Sequence, residues 1–544
     1  MQASPGAYHH QIEAALRRLT AERIIPRIWQ HDHTVWKPDP AEIANRLGWL
    51  HAPETMRAHI DDIMALVEAV QAEGYTQALL LGMGGSSLAP EVFSRMFGGV
   101  PPERLKLAVL DSTDPGAVLA QAAQHDPAQT LYIVSTKSGG TVETLSFFKF
   151  FYNRAVEALG VAKAGQHFVA ITDGGSRLDA LAREHRFRSL FLNDPTIGGR
   201  NAALSLFGLV PAALVGVDLA RLLDRGAAMA ALCQGTEAAD NPGAWLGAIL
   251  GTLAGLGRDK LTLVCAPELA SFADWVEQLI AESTGKEGKG IVPVAHEPLG
   301  PPEVYGEDRV FVSLQLGEDA PDEAALARLE EAGHPVVRLS LADRYDVGGQ
   351  YFLWEMATAV ASHLLGVNSF DQPNVESAKA RARELVAAYT ERGQLPGVES
   401  APLTAEALRR FLAEARPGDY VALQAYLTPT EATTVALQAL RLELRDTYRL
   451  ATTLGYGPRY LHSTGQLHKG DRGNGLFLQF IAGTVQDVPI PDSAGEAASS
   501  ITFGVLKEAQ AAGDYLALVE NERRVIRFDL GADVLTGLRR LAMH

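Results

Sequence analysis

The chain has 544 residues, of which 47% are hydrophobic and 21% charged, with a formal net charge of −17. This length exceeds what one hydrophobic core supports, so we expect two or three domains. The acidic balance argues against nucleic-acid binding, and the two cysteines, Cys233 and Cys265, are too few for a disulfide framework or a cysteine-based metal site.

The N-terminal residues 1–45 contain charges and two tryptophans at helix-like spacing, which predicts a helical arm. The start of the chain lacks the apolar core of a signal peptide, so we expect a cytoplasmic protein. The apolar stretch from Ala203 to Val217 is shorter than the ~20 residues that a membrane helix requires. It also contains Gly208 and Pro211, so we predict a buried helix here and no membrane association.

Short apolar runs alternate with helical patterns along most of the chain, which predicts an α/β fold with parallel sheets and crossover helices. The runs fall into three groups, which predict a first domain at 46–232, a second at 233–395 and a C-terminal α/β region at 396–544. The candidate strands are Ala78–Leu81, Leu107–Leu110, Leu131–Val134, Phe168–Ile171, Leu261–Cys265, Val310–Leu314, Val336–Leu339, Tyr420–Leu427, Leu476–Ile481 and Arg524–Phe528.

Two loops that follow predicted strands have the residues of a phosphate site. The first, GMGGSS, contains Gly85 and Ser86, and glycines there let the backbone approach a ligand at the start of a helix. The full dinucleotide-binding fingerprint is absent because its third glycine is missing. A tight turn with a serine cap would explain this first loop equally well.

The second loop, STKSGGTVET, supplies three hydroxyls and one ammonium within six residues, from Thr136, Lys137, Ser138 and Thr141. Such a cluster at a helix N-terminus suits a dianionic phosphate. Helix caps and a solvated lysine are the alternative reading. Because both loops follow neighbouring strands, we favour a phosphomonoester site.

A candidate general base lies in the segment FADWVEQLIAESTGKEGKG. Gln278 and Glu282 are four residues apart, beside an apolar helical stripe, and Gly285 is a plausible helix end. The negative end of the helix dipole and the apolar surroundings should both raise the pKa of Glu282, as suits a general base. Taken alone, the pattern also fits a surface glutamate.

Five motifs occur in one order and together resemble the phosphoglucose isomerase family: GMGGSSLAP, STKSGGTVET, IGGRNAALSLFGLVP, QLIAESTGKEGKG and SFDQPNVESAK. The likeness is greatest to the isomerase half of bacterial transaldolase–phosphoglucose isomerase fusions. It also covers the N-terminal arm and the C-terminal YGPRYLHSTGQLHKG, but it includes no transaldolase barrel. The resemblance implies two sugar-isomerase (SIS) domains, each a parallel sheet sandwiched by helices, flanked by the arm and a C-terminal extension.

The resemblance also implies roles for matched residues. Glu282 matches the glutamate that carries the proton between C1 and C2, and Arg200 matches the arginine that faces the enediolate. Lys379 would lie near the ring oxygen of the sugar, although its sequence pattern alone fits a solvated charge, and Arg200 alone would fit an ion pair at a helix start. The implied substrate contacts are Gly85, Ser86, Thr136, Lys137, Ser138, Thr141, Gly199, Gln278 and Gln372.

The ring-opening histidine is harder to assign from the sequence. We predict His462, whose HSTGQ context resembles a histidine motif of one bacterial branch of the family, although it follows Lys379 here instead of preceding it. The alternatives are His296, His334, His363 and His468.

The sequence departs from the family pattern at Ser87, at Gly139–Gly140 and at Asn201, which leaves the exact hexose open. We predict conversion of glucose 6-phosphate to fructose 6-phosphate through a cis-enediolate, without a metal or an organic cofactor. Alternatives are a non-catalytic SIS-type sugar-phosphate sensor and an isomerase acting on mannose 6-phosphate or on both sugars. The expected ligand is a hexose 6-phosphate, and the family implies a homodimer.

Overall fold

A computed structural model gives the structure of the protein and describes residues 1–98, 104–319 and 322–542. The N-terminal segment is mostly helical, as predicted, but its first residues form a short strand. The elements of this segment are β1 (Gln2–Ser4), α1 (His9–Ala21), α2 (Ile24–Trp29), α3 (Ala52–Thr55) and α4 (Ile60–Ala72). In α1 the buried residues Ile12, Leu16 and Leu19 recur at helical spacing, and they pack into the main hydrophobic core.

The first α/β unit contains a five-stranded, fully parallel sheet with the strand order β3-β2-β4-β5-β6. Its elements are β2 (Gln77–Gly82), α5 (Leu88–Phe97), β3 (Lys106–Leu110), α6 (Pro115–Gln124), β4 (Thr130–Ser135), α7 (Val142–Leu159), α8 (Val161–Ala164), β5 (Phe168–Asp173), α9 (Arg177–Glu184) and β6 (Ser189–Asn193). The four strands predicted in this region are confirmed. The edge strand β6 was not predicted, because its burial is mixed and its apolar run is only three residues long.

Three helices connect this unit to the second: α10 (Leu206–Leu214), α11 (Leu219–Leu232) and α12 (Pro242–Gly255). All residues of α10 are buried, which confirms the buried helix predicted from the apolar stretch. Helix α12 begins where a cap is expected, because the Asn241 side chain accepts a hydrogen bond from the Ala244 N–H and Pro242 occupies the first turn.

The second unit has the strand order β1-β10-β9-β7-β8, in which only β1 runs antiparallel. Its elements are β7 (Lys260–Cys265), α13 (Phe272–Thr284), β8 (Val292–Val294), β9 (Arg309–Leu316), α14 (Glu323–Glu331), β10 (Val336–Leu341) and α15 (Val347–Leu365). The predicted strands are confirmed, and β1 and β8 were missed because each has only three residues. The buried helix α15 packs against α11 and α12 and joins the two units through one core.

The C-terminal region forms a third α/β unit, a four-stranded parallel sheet with the order β12-β11-β13-β16. Its elements, with the linking helix α16, are α16 (Glu376–Arg392), α17 (Ala405–Leu412), β11 (Tyr420–Tyr426), α18 (Glu431–Tyr448), β12 (Ala451–Tyr456), α19 (Gly465–Gly470), β13 (Gly475–Ile481), β14 (Pro489–Ile490), β15 (Ile501–Thr502), α20 (Phe503–Glu520), β16 (Arg524–Asp529) and α21 (Val534–Arg539). The three predicted strands are confirmed, whereas β12 and the two-residue strands β14 and β15 were missed. Helix α16 packs along α20.

The α/β architecture with parallel sheets is therefore as predicted. The three larger sheets lie at 77–193, 260–341 and 420–529, apart from β1, which the N-terminal segment adds to the second sheet. The exact domain boundaries at 45, 232 and 395 stay predictions. Within the described ranges, none of the helices is both long enough and apolar enough to cross a membrane.

Candidate active site

A cavity of about 610 Å³ opens where the carboxyl ends of β2 and β4 meet the second and third units. Each of the thirteen site residues predicted from the sequence lines this cavity. They are Gly85, Ser86, Thr136, Lys137, Ser138, Thr141, Gly199, Arg200, Gln278, Glu282, Gln372, Lys379 and His462. Residues separated by more than 370 positions in the chain thus contribute to one site.

The first glycine-rich loop follows β2 and is packed closely against two neighbouring loops. Gly84 has a positive φ of 54°, and a Cβ atom there would lie 2.8 Å from the carbonyl oxygen of His462. A Cβ atom on Gly85 would lie only 1.9 Å from the carbonyl oxygen of Gly199. Only glycine permits these approaches, so the loop needs its glycines for packing as well as for ligand access.

The second loop, between β4 and α7, carries the hydroxyls expected of a phosphate site. The hydroxyls of Thr136 and Thr141 are 2.9 Å apart, so they face each other across the loop. The ammonium of Lys137 donates to Asp173 Oδ2 at 2.6 Å and to the Pro195 carbonyl at 2.9 Å. Its positive charge is therefore shared with a carboxylate at the end of β5, a residue that the sequence analysis did not select.

The N-terminal arm also reaches the cavity, which the sequence analysis missed. Glu42, Asn45 and Arg46 line it, and the Arg46 guanidinium donates to Glu42 Oε2 at 2.8 Å and to the Pro195 carbonyl at 3.4 Å. The spacing of Glu42 and Arg46 was readable as an ion pair between residues four apart. Nothing local to that segment indicated that it would contact the loops after β4 and β6.

The candidate base, Glu282, lies two residues before the end of α13, and Gly285 follows that end as predicted. Its side chain is only 7% exposed, and its Oε2 atom lies 3.2 Å from Nε of Arg200. Burial raises the pKa of Glu282, and the charges of Arg200, His462 and Lys379 offset only part of that effect. The predicted direction is confirmed, and its main cause is burial.

Arg200 is held rigidly beside this carboxylate. Its two terminal nitrogens donate to the backbone carbonyls of Ser369, Phe370 and Asp371 at 3.1 to 3.3 Å. Its side chain is only 5% exposed. These bonds orient the Nε–H toward Glu282, so the guanidinium presents a fixed positive charge at the floor of the cavity.

His462 enters the cavity from the third unit, at the end of a 3₁₀ turn formed by Arg459–His462. Its Nε2 atom lies 3.0 Å from Oε1 of Glu143, which also accepts from Nε2 of Gln510 at 2.7 Å. Burial would raise the pKa of Glu143, but the charges of His462 and Lys379 and the hydrogen bonds to the carboxylate together lower it. The pair was missed, although Glu143 stands within the second loop motif, because nothing local links it to a residue 319 positions away.

The four alternative histidines lie outside this cavity. His296 is bonded to Asp274, and the His363 ring to the Val35 carbonyl. His334 packs against aromatic rings, and the buried His468 contacts Gln424. Among the residues that the structure describes, His462 is the histidine that lines the cavity.

Gln372, in the segment that leads into α16, and Lys379, in the first turn of that helix, complete the cavity. The Lys379 ammonium contacts Glu376 Oε1 at 3.1 Å, and its side chain is 36% exposed at the rim. Nearby, Lys286 is buried and donates to Asp371 Oδ1 at 2.7 Å. Burial and the charge of Arg200 lower the pKa of Lys286 to about 7.

The electrostatic character of the cavity differs from that of the whole chain. Four cationic side chains line it, against three carboxylates, whereas the chain carries a net charge of −17. The cations are Arg46, Lys137, Arg200 and Lys379, and the carboxylates are Glu42, Asp173 and Glu282. Within the described ranges, no cluster of three or more His, Cys, Asp and Glu side chains has an arrangement that could hold a metal ion.

Comparison with known proteins identifies the family of the chain. Residues 51–299 match the family model of phosphoglucose isomerase. The glucose-6-phosphate isomerase of Rubrobacter xylanophilus is 30% identical over 419 residues, which cover 68% of this chain and 94% of that protein. The chain belongs to the phosphoglucose isomerase family.

Other relatives and solved structures agree with this assignment. The glucose-6-phosphate isomerase of Synechococcus elongatus is 31% identical over 57% of this chain and 65% of that protein. A hypothetical protein from Thermus thermophilus matches with a TM-score of 0.56 and 25% identity, over 70% of this chain and 95% of that one. A glucose-6-phosphate isomerase structure from Chlamydia trachomatis shares the fold, with a TM-score of 0.58 and 19% identity. The match covers 74% of this chain and 89% of that one.

The predicted α/β class, with parallel sheets between helices, is confirmed. The family match ends at residue 299, so it covers the first unit and helix α13 but not the third unit, which carries His462.

Proposed function

We propose that this phosphoglucose isomerase interconverts glucose 6-phosphate and fructose 6-phosphate, with Glu282 as the base and a cis-enediolate as the intermediate. The observation that carries the proposal is the buried pair of Glu282 and Arg200, with 3.2 Å between Oε2 and Nε, at the floor of a hydroxyl-lined cavity. A base with a raised pKa beside a fixed cation suits transfer of a proton through a negatively charged intermediate.

The phosphate would bind at the two loops after β2 and β4. Ser86, Thr136, Ser138 and Thr141 offer four hydroxyls there, and α7 begins directly after Thr141. The helix N-terminus adds unpaired N–H groups and a favourable dipole. Lys137 would contribute less than a free ammonium, because Asp173 shares its charge.

Ring opening would be the work of His462. With Nε2–H donated to Glu143, the imidazolium form carries its second N–H at Nδ1. This proton would pass to the ring oxygen of the sugar as the bond from that oxygen to the anomeric carbon breaks, and the anomeric hydroxyl would release its proton to solvent as the carbonyl forms. Lys379, at the rim, would stabilise the charge near that oxygen. Gln372 and Gln278 would orient the hydroxyls of the chain.

The isomerisation itself would move one proton from C2 to C1 by way of Glu282. Glu282 takes the proton from C2 of the open-chain aldose, the electron pair forms the C1–C2 double bond, and the aldehyde oxygen becomes the enediolate oxygen. Arg200 stabilises that negative charge. After a proton has moved between the two oxygens, Glu282 returns its proton to C1 and the ketone forms at C2.

The test is conversion of fructose 6-phosphate to glucose 6-phosphate by the purified protein in EDTA. We expect turnover by the wild type and a loss of about 10²- to 10⁴-fold or more in kcat for Glu282→Gln. The substrate affinity of this variant, measured by calorimetry, should be nearly that of the wild type. Glu287→Gln, a surface glutamate close in sequence, serves as the matched control. If the wild type bound fructose 6-phosphate tightly but did not turn it over, the proposal would be refuted in favour of a sugar-phosphate sensor. If the wild type turned over mannose 6-phosphate alone, the proposed substrate would be wrong.

A further inference from the structure

The loop that carries His462 belongs to the third unit but contacts both other units. It leaves β12 after Tyr456 and forms the turn Arg459–His462 before α19 begins at Gly465. At its tip, the His462 carbonyl accepts a hydrogen bond from Nε2 of Gln278 at 2.9 Å. The backbone of the loop is thus bonded to the helix that carries Glu282.

Arg459 connects the loop to charged groups of both other units. Its guanidinium lies 2.6 Å from Glu91 Oε2, 2.9 Å from Asp111 Oδ2 and 3.8 Å from Asp274 Oδ2. Glu91 is on α5 and Asp111 follows β3, both in the first unit, whereas Asp274 is on α13 of the second. These three carboxylates would repel one another without the arginine, so the contact fixes where the loop sits.

The contacts of the tip add to this anchoring. The approach of Gly84 to the His462 carbonyl leaves no room for a Cβ atom, and Ser463 donates to Glu277 Oε1 at 3.3 Å. The imidazole is oriented separately by Glu143 of the first unit. Backbone and ring of His462 are therefore each held by residues of the same chain.

We propose that the third unit supplies the ring-opening histidine to the site of its own chain. Arg459 is the residue that positions the loop carrying His462. The inference rests on the proposed function, because it assumes that His462 opens the ring. The family resemblance implies that a residue of one subunit can complete the site of the other. Here all thirteen residues of the predicted site line one cavity within one chain.

Complementation tests the in-chain assembly. We would co-express Glu282→Gln and His462→Ala chains, each with a different tag. Dimers that carry both tags or, if none form, the mixed population would be purified and assayed on fructose 6-phosphate. The proposal predicts no more activity than the two variants have separately. If the histidine came from a partner chain, a random mixture of dimers would regain about a quarter of wild-type activity, which would overturn the proposal.

Two substrates test the role of Arg459. Fructose 6-phosphate must open its ring, whereas 5-deoxyfructose 6-phosphate has no 5-hydroxyl and stays open. For Arg459→Met we expect a loss of about 10- to 100-fold in kcat on the first substrate, with a smaller loss for Arg459→Lys, and little change on the second. KM should change little, because Arg459 does not line the cavity.

Arg309→Met is the matched control. Arg309 is fully buried, pairs with Glu297 and donates to the Leu450 carbonyl of the third unit, but lies away from the His462 loop. The Arg309→Met variant should have a lower thermal unfolding midpoint, and any loss in its kcat should be equal on the two substrates. Equal losses of Arg459→Met on both substrates would refute the positioning role, whereas an inactive wild type would refute the proposed function itself.

Discussion

Replacement of Glu143 by glutamine should weaken ring opening while sparing the isomerisation step. The Glu143 carboxylate is 5% exposed and accepts hydrogen bonds from His462 and Gln510. Burial raises its pKa, but the charges of His462 and Lys379 and the hydrogen bonds to the carboxylate together lower it, so an ionised carboxylate faces the His462 ring. Glutamine keeps the shape and removes the charge.

The magnitude follows from the contact. A hydrogen bond to a charged partner contributes about 1.5–3 kcal/mol net, and the His462 side chain is only 17% exposed, so solvent screens the pair little. At 1.36 kcal/mol per factor of ten, this corresponds to about a 10- to 150-fold lower kcat on fructose 6-phosphate. On 5-deoxyfructose 6-phosphate, which needs no ring opening, we expect a change of less than about threefold.

The assay couples glucose 6-phosphate formation to its dehydrogenase and follows the 5-deoxy substrate by NMR. Glu157→Gln, an exposed glutamate on the same helix α7, is the control and should match the wild type on both substrates. Equal losses on the two substrates, or no loss on either, would refute the assigned role of the His462–Glu143 pair.

Three further predictions concern other parts of the site. Because burial raises the pKa of Glu282, the acid limb of the kcat/KM–pH profile should lie above the ordinary glutamate range. The charge of Arg200 lowers this pKa, so Arg200→Met should move the limb to higher pH. An unchanged limb in Arg200→Met would contradict the charge effect. Gly85→Ala should cost about 1–3 kcal/mol in the free energy of unfolding, since its Cβ would meet the Gly199 carbonyl, and unchanged denaturant unfolding would refute this. Burial lowers the pKa of Lys286 to about 7, so above that pH the unfolded state holds a proton on this lysine that the folded state has lost. The free energy of unfolding should therefore rise between pH 7 and 9. In thermal melts recorded across this pH range, Lys286→Met should lack this part of the rise.

The two phosphate-site loops illustrate what local sequence carries. Glycines and hydroxyl residues directly after an apolar run specify a strand, a tight turn and a helix start, and β2, β4 and the loops between them and α5 and α7 form as predicted. The helical stripe in 272–284 likewise placed Gln278 and Glu282 on one face, where their side chains are 3.4 Å apart. Such features depend on residues a few positions apart, so a sequence pattern records them.

Other partners were not readable from any local pattern. Glu143 contacts His462 across 319 positions, Asp111 contacts Arg459 across 348, and β1 joins the second sheet through Val336–Arg338. Short strands such as β8 form because a neighbouring strand supplies hydrogen bonds, so their own residues carry little signal.

The sequence alone therefore determined the α/β class, the family resemblance and the candidate base, because these depend on local periodicity and on ordered motifs. Only the tertiary structure decided which histidine reaches the cavity and which cations share their charge with carboxylates. It also showed that the third unit contributes to the site. These features depend on how three distinct sheets pack together, and the contacts that fix this packing join residues hundreds of positions apart.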